Sequence, residues 1–296
     1  MTDIEGIIPP MLTPFDEEGA IAEDRLRDHV DFLVDSGVHG LFPGASVGEL
    51  TNMNTDELET VTEITVDQAE GECPVYAGVG ASGTKEAVER TRRASEAGVD
   101  GVVAVTPFYL ETDQEGLRTH FSRIAAVADV PVILYHIPGF TGQPLAVDTV
   151  VSIAESEENV VGIKDSSGEL MWGARILRNS PDTFDYLQGH GPLFLPSLSL
   201  GASGVMPATA NIAPEFVLDV YESFENGDLE RAREIQLERV LPLQQTAMVG
   251  TFPAGFKAAA RMTGHDLGFV RSPAHGLTDS ERESIRSGLE SLGLLE

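Results

Sequence analysis

The sequence predicts an α/β protein, a (β/α)8 TIM barrel with a C-terminal helical extension, and three observations predict it. Short β-branched runs alternate with longer amphipathic segments, eight such runs recur without a linker or composition break, and the chain's last portion carries helical patterning alone. A chain of 296 residues is longer than most domains, but barrels of this size fold around one core. The strands are expected at 6–9, 38–42, 75–79, 101–106, 132–137, 160–164, 184–187 and 204–206. Each is a short apolar run of the kind that both faces of a parallel sheet bury. Between them, 23–36, 55–70, 84–97, 115–128 and 145–155 place apolar residues three and four apart and read as helices. Thr55 with Leu58 and Glu59 behind it starts one, Ser82-Gly83-Thr84 opens the next, and Ala97-Gly98 closes it. Beyond the last strand, 214–225, 228–248, 254–263 and 278–292 all read helical. Residues 1–212 are therefore expected to form the catalytic barrel and 213–296 a set of helices packed on it.

Forty-eight acidic against nineteen basic residues give a net charge of −29, and only three of the basic residues are lysines. Such a surface repels nucleic acid and acidic membranes, so neither is an expected partner. It suits a protein kept soluble in concentrated salt, where a Debye length of about 3 Å at 1 M mutes self-repulsion. A halophile's cytoplasm is the expected setting. The N-terminus MTDIEGIIPP lacks a basic region followed by a long apolar stretch, and no run approaches the ~18 residues of a membrane span. Cys73, the single cysteine, precedes Pro74 and an apolar run and reads as a buried structural thiol. The seven histidines show no paired metal-ligand spacing, and no cofactor is expected.

Barrel enzymes carry their chemistry where strands finish, because the loops there vary while the barrel stays rigid. Lys164 ends the run Val160-Val-Gly-Ile163, a place where a lysine loses much of its water. Two readings are open. A partly buried amine, ordinarily near ~10.4, can fall to about 7 or 8, where its neutral form attacks a ketone and forms a Schiff base. Alternatively, Lys164 pairs with Asp165 and ties the barrel rim. Tyr135 and Tyr109 also end strands, Tyr135 as a candidate for proton traffic, and Gly44-Ala-Ser-Val-Gly-Glu49 offers backbone N–H groups that could face an anion.

The stretch Val161-Gly-Ile-Lys-Asp-Ser-Ser-Gly168 resembles the lysine motif of the dihydrodipicolinate synthase/N-acetylneuraminate lyase family. The resemblance runs almost the whole chain: Gly6-Ile-Ile-Pro-Pro-Met-Leu-Thr-Pro-Phe15, the glycine loop, Val105-Thr-Pro-Phe-Tyr109, Leu134-Tyr-His-Ile-Pro138 with Thr141-Gly142, and Leu200-Gly-Ala-Ser-Gly-Val205 with Ala210-Asn211. It implies a lyase, a class I aldolase barrel, usually a tetramer of two tight dimers. It implies Lys164 as the imine former with pyruvate or a 2-oxo acid, and Tyr135 as the proton relay. Ser46 would help to bind the carboxylate and pass a proton to Tyr135, while Tyr109 would reach across a dimer interface into the neighbour's relay. Val47, Gly48, Phe140, Gly189, His190 and Met206, all at strand ends, complete the expected substrate-binding set.

Two departures bear on substrate. Val47 stands where the family has a second hydroxyl, and Phe140 stands where synthases carry an arginine that grips the carboxylate of aspartate semialdehyde. Losing a charge-assisted pair costs about 1.5–3 kcal/mol. On that ground the sequence predicts an aldolase for 2-keto-3-deoxygluconate or its 6-phosphate, releasing pyruvate and glyceraldehyde or its phosphate. Dihydrodipicolinate synthase and a sugar-acid dehydratase are the alternatives, and a catalytically silent sugar-acid binding barrel is the reading outside enzymology. His136, next to Tyr135 on its strand, faces the helix layer on this reading and serves structure. Glu49 orders the glycine loop, and Lys85 and Lys257 read as surface or packing residues.

Overall fold

A computed structural model describes residues 4–295. Seven strands, β1 (Gly6–Ile7), β2 (Tyr76–Gly78), β3 (Gly101–Val105), β4 (Val132–His136), β5 (Val160–Asp165), β6 (Asp185–Gln188) and β7 (Gly204–Val205), pair in parallel in the order β1-β7-β6-β5-β4-β3-β2. The expected strand at 38–42 is not a regular strand, which corrects the count of eight. Prolines explain the difference: Pro9, Pro10, Pro43 and Pro74 flank the position and have no N–H to give to a ladder. What remains is a seam of isolated bridges, Pro10 to Phe42 and Leu41 to Val75. Backbone bonds from His39 N to Ile7 O (2.8 Å), Phe42 N to Pro9 O (3.0 Å) and Leu41 N to Pro74 O (2.8 Å) still join β1 to β2, so the curled sheet closes as a TIM-barrel-like α/β fold.

Alternation along the strands divides the apolar residues between two cores. Val102, Ala104, Val132, Leu134 and Ile163 face outward and pack against helices such as Glu23–Asp35, Gln114–Ala125, Val147–Ser156 and Leu170–Asn179. Val103, Val105, Ile133, Tyr135 and Leu187 face the barrel interior. Each fully buried Val, Leu or Ile contributes about 1.5–3 kcal/mol, so inside and outside are firmly fixed. Local signals set the helix starts. Asn54 and Glu57 form a reciprocal cap that opens Thr55–Ala69, and Asp113 accepts from Gly116 N, starting the helix Gln114–Ala125 at 114 rather than 115.

After β7 the described chain is helical: Pro214–Glu225, then Leu229–Ile235 running through a π turn at Gln236–Val240 into Leu241–Ala247, then Ala254–Met262 and Asp279–Ser291. Leu243, Ala247, Phe256, Ala260, Ile285 and Leu289 from these helices join the interior core. The barrel mouth is therefore roofed on one side by the chain's last third. Among the described residues no helix is long and apolar enough to cross a membrane.

Candidate active site

One cavity of about 320 Å³ opens at the strand ends, and Lys164 and Tyr135 lie at its floor. They are opposite each other across β4 and β5, with Lys164 Nζ 4.3 Å from the Tyr135 ring centre and 4.9 Å from that of Phe42. Lys164 is only 3% exposed and makes no ion pair among the described residues. Burial pushes its amine down to about 7. Such an amine is neutral often enough at neutral pH to act as a nucleophile. Asp165, the carboxylate of the ion-pair reading, is already engaged and points away. Its Oδ1 meets His136 Nδ1 at 3.2 Å and accepts from Ser167 N at 2.9 Å, and its Oδ2 accepts from the Tyr186 hydroxyl at 2.8 Å. His136 lies against Trp172 in the helix layer, 4.2 Å between ring centres with the rings tilted by 35°, as the strand alternation predicts. Burial raises the Tyr135 phenol above its ordinary value, and the hydroxyls of Ser166 and Ser46 pull it part of the way back.

The glycine loop forms one wall. Ser46 and Val47 line the cavity, and the N–H groups of Ser46, Val47 and Gly48 donate to no protein acceptor among the described residues. These N–H groups, unspent on the protein, lie beside apolar Ala45 and Val47, where little water competes for them. Gly48 is needed there, since a Cβ would come within 2.5 Å of Met11 O, and its own carbonyl accepts from Thr13 Oγ1 at 2.8 Å. Glu49 ends the loop in a left-handed conformation, φ 62°, and is buried against Lys257, with Oε1 2.7 Å from Nζ.

The opposite wall comes from β6 and β7. Gly189 must be glycine because a Cβ would lie 1.9 Å from Ser166 Oγ and 2.7 Å from Asp165 O. This close approach sets His190 over the cavity, with Nε2 3.1 Å from Ser166 O and N donating to Gln188 Oε1 at 2.9 Å. Met206 lies fully buried in the lining. Gln236, in the π turn, donates to Gly191 O at 3.0 Å and accepts from Leu195 N at 3.1 Å, so the late helices hold this loop too. Phe140, 58% exposed, stands at the mouth against Phe252, 5.3 Å between ring centres.

The structure thus gathers Lys164, Tyr135, Ser46, Val47, Phe140, Gly189, His190 and Met206 about one cavity. Gly48 stands in the wall behind it, and Tyr109 is not brought in: it is 91% exposed, with φ 77°. Sequence reasoning missed Ser166 as a partner of Tyr135, although it follows Lys164 by two and so shares its face. It also missed Gln244, Met248, Phe252 and Phe256 at the mouth, for which no strand-end rule gave a signal.

Fold and pocket together define a lyase of the Schiff-base aldolase class, built on a parallel barrel. The Dihydrodipicolinate synthetase family model matches residues 3–292, and the chain belongs to that family. It is 40% identical over 293 residues to a 4-hydroxy-tetrahydrodipicolinate synthase of Methanopyrus kandleri, covering 99% of this chain and 97% of that one. A crystal structure of dihydrodipicolinate synthase from Aquifex aeolicus superposes with a TM-score of 0.95 at 32% identity, covering 98% and 99% of the two chains. A prophage protein of the same family from E. coli, in complex with pyruvate, superposes with a TM-score of 0.95 at 28% identity, again covering 98% and 99%.

These relatives overturn the sugar-acid aldolase expectation, since the similar curated proteins bear the synthase name. The error lay in weighting Phe140. A single guanidinium contributes about 1.5–3 kcal/mol at most, and less at a mouth position open to water, which is too little to define the reaction of a whole pocket.

Proposed function

We propose that the chain condenses pyruvate with aspartate semialdehyde, the synthase reaction, in keeping with relatives that bear the name 4-hydroxy-tetrahydrodipicolinate synthase. The observation that carries the reading is the unpaired, buried Lys164 amine beside Tyr135 and the free N–H groups of the glycine loop. Pyruvate's carboxylate would sit on the N–H groups of Ser46, Val47 and Gly48, presenting its ketone carbon to Lys164. The neutral amine adds to that carbon, water leaves, and a protonated imine forms. Loss of a methyl proton gives an enamine, whose carbon attacks the aldehyde carbon of the second substrate. The alkoxide created there takes a proton from Tyr135, which Ser46 and Ser166 resupply. Release of Lys164 follows when water or the product's own amine attacks the imine.

Tyr109 supports a dimeric site in this reading. A tyrosine so exposed, beside Leu110 at 75% exposed, would enter a neighbouring subunit. Residues 1–212 act as the catalytic barrel, with 213–296 bracing it, in a homotetramer working in the cytoplasm of a halophile.

Incubation with pyruvate followed by borohydride should add a stable mass to Lys164, and an unmodified lysine would end the proposal. A coupled assay with aspartate semialdehyde then tests the acceptor.

A further inference from the structure

The chain has a second buried lysine that the chemistry above does not use. Lys257, 3% exposed on helix Ala254–Met262, reaches across 208 residues of sequence to Glu49 Oε1 at 2.7 Å. It also donates to the Phe269 carbonyl and lies 4.6 Å from the Phe15 ring centre. Arg271 completes the clamp. Its N donates to Glu49 Oε2 at 2.9 Å, its Nη1 to Asn52 O at 2.8 Å, and its Nη2 meets Glu57 Oε1 at 2.6 Å. Both carboxylate oxygens of Glu49 are therefore held by residues from the far end of the chain.

Glu49 needs holding. It is a non-glycine residue in the left-handed region, a conformation that persists only where its surroundings over-determine it. Its N donates to Ser46 O at 3.1 Å, so its placement fixes the turn that carries Ser46, Val47 and Gly48. Release of the side chain would let the backbone relax and shift the N–H groups of Ser46 and Val47 in the cavity wall.

We propose that Lys257 is a positioning residue for pyruvate: by clamping Glu49 it holds the glycine-loop N–H groups in register to receive the carboxylate of a 2-oxo acid. The inference rests on the function proposed above and assigns a specific task to the late helices. Lys257 touches no substrate. Its loss weakens carboxylate binding equally in ground and transition states and leaves the attack by Lys164 intact once pyruvate is bound.

The test reads borohydride trapping of the Lys164 imine as a function of pyruvate concentration in the full chain. Failure of the wild-type protein to label would refute the proposed function and not this inference. With labelling in hand, Lys257→Met should raise half-saturating pyruvate at least tenfold with the plateau labelling rate kept within threefold, and Lys257→Arg should recover most of the affinity. Glu49→Gln, which keeps the side chain's shape, should show the same split and decides the matter if Lys257→Met does not fold. An unchanged half-saturation, or a fall confined to the plateau rate, would overturn the proposal.

Discussion

Two buried lysines, each 3% exposed, serve opposite ends in this molecule. Burial lowers both amines, Lys164 to about 7 and Lys257 to about 8. Lys164 faces a cavity with no counter-ion, whereas Lys257 has Glu49 at 2.7 Å, which opposes the effect of burial. The difference teaches that burial alone does not make a lysine reactive or structural. The partner does: an amine left without a carboxylate stays available to a carbonyl carbon, and one given a carboxylate becomes a tether.

The largest expected effect removes the unpaired member. Lys164→Met should abolish turnover, a loss of at least about 10⁴-fold, while raising Tm by about 2–4 °C because a buried cation without a partner is deleted. An unchanged or lowered Tm would break the comparison. Tyr135→Phe separates amine attack from proton transfer and should lower kcat by about 10²–10⁴-fold while pyruvate and borohydride still label Lys164. Lys257→Met should destabilise the fold by about 3–5 kcal/mol in a denaturant titration, because Glu49 is left buried without its cationic partner, the reverse of the change expected at Lys164. The smallest effect is graded with pH. Trapping at fixed pyruvate should rise about tenfold per unit up to roughly 7 and level off above it, as Lys164 loses its proton. Because the folded value of about 7 lies below the ordinary 10.5, the unfolded chain binds the extra proton between them, so this group makes stability rise with pH across that window. Lys164→Met should make the rise shallower, leaving the share that Lys257 adds above about 8, as thermal melts across the window would record.

Much of this was legible in the sequence, for physical reasons that particular residues show. Val132-Ile-Leu-Tyr-His136 announces a buried strand, and its period of two already places Tyr135 inward and His136 outward. The helices after β7 were visible from their spacing, including 228–248, which the structure carries through a π turn. The segment at 38–42 departs from the expectation because a short apolar run does not show where prolines remove donors on and beside the neighbouring strands. The mouth residues Phe252 and Gln244 escaped notice because tertiary packing, and no local pattern, folds them over the barrel. Phe140 was seen correctly and interpreted wrongly, since a sequence shows which contact is missing and not how little the remaining pocket depends on it.

The proline-broken seam between β1 and β2 is the thinnest hoop in the wall of the barrel, held by isolated bridges where its neighbours have ladders. The glycine loop hangs directly from it, beginning at Gly44, two residues past the last bridge at Phe42. If this wall breathes, it does so first beside the glycine loop, and a latch drawn from the far end of the chain is then the means by which a loosely stitched edge is made firm.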